Sequence, residues 1–101
     1  MMKVRNMESP KTGREVANQF IITDVEKNVT LFQSYMSPII EIDRTNLVIT
    51  VHSDYNYSRT TGKYRNKFME DEGFYELSNI KELDKCIKLG TYENFKVVKA
   101  F

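Results

Sequence analysis

Tyr55-Asn56-Tyr57-Ser58-Arg59-Thr60-Thr61-Gly62-Lys63-Tyr64-Arg65-Asn66-Lys67-Phe68 is where the pattern of this chain changes. Before it, apolar residues recur at every second position. Within it and after it they recur at helical spacing, and that change of period decides the fold class. Just upstream, Leu47 to Ser53 alternates, with Leu47, Ile49 and Val51 on one strand face and Thr50 and His52 on the other. Just downstream, Tyr64, Phe68 and Met69 share one face of a helix expected from Thr61 to Met69. Ser58, Thr60 or Thr61 can cap its start, and Gly73 can end it.

Further upstream the strand pattern persists. Pro10 and Gly13 in Glu8–Arg14 suit a turn, and Glu15 to Thr23 reads as the second arm of a hairpin. On that arm Val16, Phe20 and Ile22 share a face, interrupted by Asn18. Val29 to Met36 alternates again, Ser37-Pro38 calls for a bulge or an edge, and Ile39 to Ile42 resumes the strand. Asp43-Arg44-Thr45-Asn46 is a turn. Downstream, Asn79 with Glu82 has capping-box spacing, and Ile80, Leu83 and Ile87 form an apolar stripe. Asp84 and Lys88 stand at i,i+4, and Gly90 is a stop signal. Phe95 to Phe101 reads as a last strand.

The expected fold is therefore α+β. It is one domain over residues 1–101, an antiparallel meander of about four to six strands with one or two helices from the second half on one face. Phe20, Ile22, Leu31, Ile40, Ile42, Ile49, Val51, Phe68, Ile80, Leu83, Ile87 and Val97 are the expected core.

Composition narrows the function classes. The chain is 41% hydrophobic and 29% charged, which is ordinary globular content, and its net charge of +1 gives no long-range pull toward nucleic acid. Cys86 is the only cysteine, so no intrachain disulfide can form, and a reducing cytoplasm is expected. No apolar run approaches the roughly 20 residues of a membrane span, and Met1 to Asn6 holds no apolar region of a signal peptide.

Catalytic patterns are missing. Thr61-Gly62-Lys63 has Tyr57 where a phosphate loop needs glycine and Tyr64 where it needs Ser or Thr. His52 is the only histidine and reads as a strand-end residue; Cys86 reads as a buried structural thiol. Glu70-Asp71-Glu72 does not have the spacing of a calcium loop. The chain is expected to be no enzyme and to take no cofactor or metal.

What remains is the opening stretch. Arg59, Lys63, Arg65 and Lys67 crowd the start of the expected helix and Glu70 to Glu72 its end, the reverse of what the helix dipole favours. An anion near Gly62 would relieve this, and Tyr55, Tyr57 and Tyr64 offer stacking surface. The plain alternative is a solvated face whose cations pair with Glu41, Asp43, Glu70 or Asp71. Ser9-Pro10-Lys11-Thr12-Gly13-Arg14 echoes Ser58-Arg59-Thr60-Thr61-Gly62-Lys63, and each is followed by Asn-x-Phe. The echo reads as shared turn chemistry, or as two loops showing cations at one rim. The candidate binding residues are thus Arg14, Tyr57, Arg59, Gly62, Lys63, Tyr64, Arg65 and Lys67.

Ser9 to Val16, Asn18-Gln19-Phe20-Ile21-Ile22, Phe32-Gln33-Ser34-Tyr35, Tyr57-Ser58 and Thr60 to Asn66 together resemble a family of small proteins encoded by bacteriophages and mobile elements. The likeness spans residues 9–69. It implies a phage origin and a life inside a bacterial cell, and it brings no catalytic residue with it. Two functions follow as expectations. The favoured one is a non-enzymatic protein that binds and modulates a host protein, for instance to disable a defence system. The alternative is a nucleic-acid-binding accessory protein using the basic-aromatic surface.

Overall fold

In the computed structural model, which describes residues 1–101, the alternating segments form one seven-stranded sheet. The strands are β1 (Met2–Glu8), β2 (Glu15–Asp24), β3 (Val29–Ser34), β4 (Ser37–Asp43), β5 (Val48–Val51), β6 (Thr91–Tyr92) and β7 (Phe95–Lys99). Their order is β1-β2-β3-β4-β5-β7-β6. The first five make the expected antiparallel meander. β7 returns after the helices to pair parallel with β5, and two-residue β6 closes that edge. The fold is α+β, with one strand beyond the expected range supplied by β6.

The helices are α1 (Arg59–Asp71) and α2 (Ile80–Leu89), joined through a 3₁₀ turn at Tyr75–Leu77. Ser58 caps α1 by accepting the Thr61 backbone N–H, and Asn79 caps α2 by accepting that of Glu82. α1 ends in a Schellman motif: Phe74 N–H bonds Met69 O, Gly73 N–H bonds Glu70 O, and Gly73 has φ +92°. The dipole is indeed unfavourably dressed, with no acid in the first turn and no base in the last. A cation arrives from elsewhere. Arg44, in the β4–β5 turn, donates to the Glu72 carbonyl at 2.8 Å and pairs with its carboxylate at 3.2 Å.

Both helices cover one sheet face. The buried core runs through Ile21, Phe32, Ile40, Ile42, Ile49, Val51 and Val97 from the sheet, Tyr64, Phe68 and Met69 from α1, and Leu83 and Cys86 from α2. Phe20, Ile22 and Leu31 are corrections to the expected core. They point away from the helices, because β2 buries Gln19 and Ile21 and β3 buries Thr30, Phe32 and Ser34. Asn18 explains the inversion: with φ +65° it breaks the two-residue period, so Val16 packs inward before it and Ile21 after it. Ile80 and Ile87 are half-buried at the margin. Pro38 sits where the β3–β4 register slips between Phe32 and Gln33, the bulge expected there. Asp84 leaves Lys88 unpaired and accepts from Tyr55 Oη instead.

The sequence echo is physical. Ser9 Oγ accepts from the N–H of Lys11 and Thr12, Ser58 Oγ from that of Thr61, and in both segments the glycine N–H bonds the serine carbonyl at 2.9 Å. Gly13 then turns left-handed at φ +71° and closes a hairpin, whereas Gly62 stays helical and α1 continues.

Candidate functional site

The register collects several loops at one end of the sheet. β3 ends at Ser34 opposite Gln19, β4 begins at Ser37, and β5 ends at Val51 opposite Ile40. The β3–β4 turn, the segment leading into α1 and the first turn of α1 therefore share one rim. The β1–β2 hairpin carrying Arg14 projects past the β3–β4 turn on the same side, since Glu15 to Asn18 have no β3 partner.

A cleft of about 380 Å³ opens at this rim, lined by Ser34, Tyr35, Met36, Ser37, Ile39, Asp54, Tyr57, Ser58 and Thr61. Its floor is hydroxyl-rich. Ser58 Oγ donates to Thr61 Oγ1 at 3.2 Å, Ser34 Oγ lies 3.4 Å from Thr61 Oγ1, and Ser37 Oγ donates to Asp54 Oδ2 at 2.8 Å. Its lip is apolar and exposed: Met36 is 90% accessible, Tyr57 79% and Tyr35 59%. Tyr35 holds φ +55° in a two-residue turn, a position where Gly or Asn is the unstrained choice. The fold thus keeps a bulky aromatic where its backbone disfavours one. Reading Val29 to Met36 as a single strand missed this turn, because Tyr-Met carries no turn signature.

The expected binding residues separate into two groups. Tyr57 lines the cleft, and Arg59 and Lys63 are exposed on the face of α1 turned away from the cleft residue Thr61. Neither cation has a carboxylate within salt-bridge distance; Lys63 Nζ sits 5.3 Å from the Tyr64 ring centroid. The alternative of self-neutralisation therefore does not hold for these two. Glu41 and Asp43 lie on the sheet face away from the helices and cannot serve them. Arg14 is exposed on the hairpin and Gly62 lies half-buried above the Arg65 guanidinium.

Tyr64, Arg65 and Lys67 depart from the expected contact surface. Tyr64 is in the core. Lys67 is paired with Asp71 at 2.8 Å. Arg65 is 2% exposed and reaches back under the helix start. Its Nη1 donates to the Tyr55 carbonyl at 2.7 Å and to Asn56 Oδ1 at 3.4 Å, and its Nη2 to Asn66 Oδ1 at 2.9 Å. Burial lowers its pKa, and the nearby Asp84 and Tyr55 oppose that. Arg65 is the bracket that holds the Asp54–Ser58 segment, and with it Tyr57, against α1.

Tyr55 extends the bracket. Its hydroxyl donates to Asp84 at 2.8 Å and its ring stacks on Phe101. The hydrogen bond to Asp84, then burial, raises the Tyr55 pKa above 10.0. A raised acid pKa means the folded state holds the proton more tightly. The contribution is complete below pH 10 and is lost as pH rises toward the folded value. Tyr55→Phe is accordingly expected to flatten the alkaline fall in melting temperature above pH 10, measured against the wild-type chain. An unchanged alkaline profile would sink this assignment.

Cys86 is buried, and burial raises its pKa, so it is no activated thiolate. His52 follows β5 directly and is half-buried. No helix is long and apolar enough to cross a membrane. Among known proteins, no curated protein and no solved structure matches this chain. One family model, described as a family of unknown function (DUF8033), matches residues 2–85.

Proposed function

The chain belongs to the DUF8033 family, a family of unknown function, and we propose that it is a non-enzymatic protein that binds another protein through the rim around the β3–β4 turn. One observation carries the reading. Three large exposed side chains, Tyr35, Met36 and Tyr57, ring a single cleft, and the exposed, unpaired Arg59 follows the cleft residue Ser58 in the chain. Aromatic residues, methionine and arginine are the types enriched at the centre of protein interfaces, and a cleft that admits one apolar anchor is how such centres are built. The partner would offer an apolar side chain with carboxylates beside it. The resemblance to phage and mobile-element proteins supports a bacterial host protein as that partner, in the cytoplasm, with modulation or inhibition as the outcome.

The nucleic-acid reading is weaker, because Arg65 and Lys67 are committed within the fold. The three cations left free, Arg14, Arg59 and Lys63, would give a salt dependence of only about −2.7 in log K against log salt.

The test is retention of partners from nuclease-treated bacterial lysate, followed by titration of the identified partner. Tyr57→Ala should weaken binding about 30-fold, the effect of losing an interface anchor of about 2 kcal/mol. Tyr35→Asn should weaken it too while raising the melting temperature slightly, since Asn tolerates positive φ. Loss of binding in a stabilised variant cannot be blamed on unfolding. A partner indifferent to both substitutions, or one released by nuclease, contradicts the proposal.

A further inference from the structure

The sheet has two edges. One is β6, only two residues long, the usual way of blunting an edge. The other is β1, seven residues long and paired on one side only, by β2. Every second residue of such a strand points its backbone N–H and C=O away from the sheet. Met2, Lys3, Val4 and Arg5 are all exposed. By register, Lys3 and Arg5 stand on the helix-covered face with Thr23 and Ile21, while Met2 and Val4 stand on the open face. Arg5 shares a small pocket with Lys67, Asp71 and Glu72 at the end of α1, whereas Lys3 has no helix residue beside it in the groove along the strand. Neither Lys3 nor Arg5 has a carboxylate within salt-bridge distance. A groove of about 510 Å³ runs along this strand, lined by Lys3, Val4, Arg5, Ile21, Thr23 and Val25.

We propose that β1 is a docking edge for an extended acidic segment of a partner protein, which adds to the sheet as an eighth strand. Strand addition takes its affinity from main-chain hydrogen bonds and its selectivity from alternate side chains. Here the alternation asks for carboxylates over Lys3 and Arg5 and apolar side chains over Met2 and Val4. The same charges reject a second copy of this chain. Antiparallel self-pairing centred on Val4 would set Lys3 opposite Arg5 twice on one face, and like charges directly opposite are destabilising. This surface is separate from the cleft at the rim, and it stands without that reading.

The experiment uses the full chain, labelled for amide NMR, and three probes: a capped peptide of alternating Glu and Val, its Lys-Val counterpart, and a short DNA duplex. The expected result is slower amide exchange across Met2–Glu8 with the acidic peptide, bound about tenfold tighter than the basic one. Lys3→Glu with Arg5→Glu should reverse that preference, and Lys3→Glu alone, at an exposed side chain with no carboxylate beside it in the groove, should weaken it without changing the melting temperature. Equal binding of the two peptides overturns the proposal, as does protection mapping to Tyr35, Tyr57 and Arg59 instead. Protection of β1 by the DNA alone would assign the edge to nucleic acid. Protection without any probe, rising with protein concentration, would assign it to a second copy.

Discussion

Phe32→Ala is expected to destabilise the protein by about 4 kcal/mol, and Phe20→Ala by only about 1 kcal/mol. The two phenylalanines lie in neighbouring strands and look alike in the sequence. Phe32 is fully buried and stacks on Phe68 with ring centroids 5.8 Å apart. Its removal loses the transfer term, the aromatic contact and the packing around the void. Phe20 pairs with Asn6 and Gln33 on the face that no helix covers, so its truncation loses only partial burial. Against a total of about 5–15 kcal/mol for a domain, the first change leaves a marginal protein and the second a folded one. Urea unfolding of both variants measures this. Equal losses would mean that the face assignment of β2 and β3 is wrong.

Arg65→Ala ranks next, at about 3 kcal/mol, which corresponds to a fall of about 15 °C in melting temperature. The change leaves the Tyr55 carbonyl and two asparagine oxygens without their donor and opens a void under α1. Relief of the buried guanidinium, which has no carboxylate partner, offsets part of this loss. Arg65→Met restores volume but no donors and should recover about half. Arg65→Lys places one point donor where a planar fork spans three acceptors, and should do no better than methionine. All three should speed amide exchange at Tyr55 and Tyr57, because the bracket, not the helix, holds that segment. Exchange confined to α1 would refute the bracketing role. The variants also bear on binding: they loosen Tyr57 without touching any exposed side chain of the rim.

Local chemistry was legible wherever it depends on near neighbours in the chain. Ser58 and Asn79 as caps, Gly73 and Gly90 as stops, the bulge at Pro38 and the turn at Asp43–Asn46 all follow from a few residues and their hydrogen-bonding habits. The α+β class follows from the change of period at Tyr55–Phe68. The crowding of cations at the wrong end of a helix was legible as well, but that Arg59 and Lys63 find no carboxylate in the chain was not.

Which face of β2 and β3 is inside was not legible, because both faces of those strands are partly apolar and one left-handed residue, Asn18, inverts the parity. Nor was the division among Arg59, Lys63, Arg65 and Lys67. One hundred degrees per residue along α1 turns Arg65 under the helix and leaves Lys63 outside, but only the Tyr55 carbonyl waiting beneath makes a buried guanidinium tolerable. The sequence by itself determined the main strands and both helices, the caps and stops of those helices, and the surplus of positive charge near α1, since those depend on contacts a few residues long; it did not show β6, the 3₁₀ turn or the turn at Tyr35-Met36. Tertiary structure alone decided which side chains are inside, brought Tyr35 and Met36 to Tyr57 across the sheet end, and left β1 open along one side. Those outcomes depend on register and on partners far apart in the chain, which no local pattern encodes.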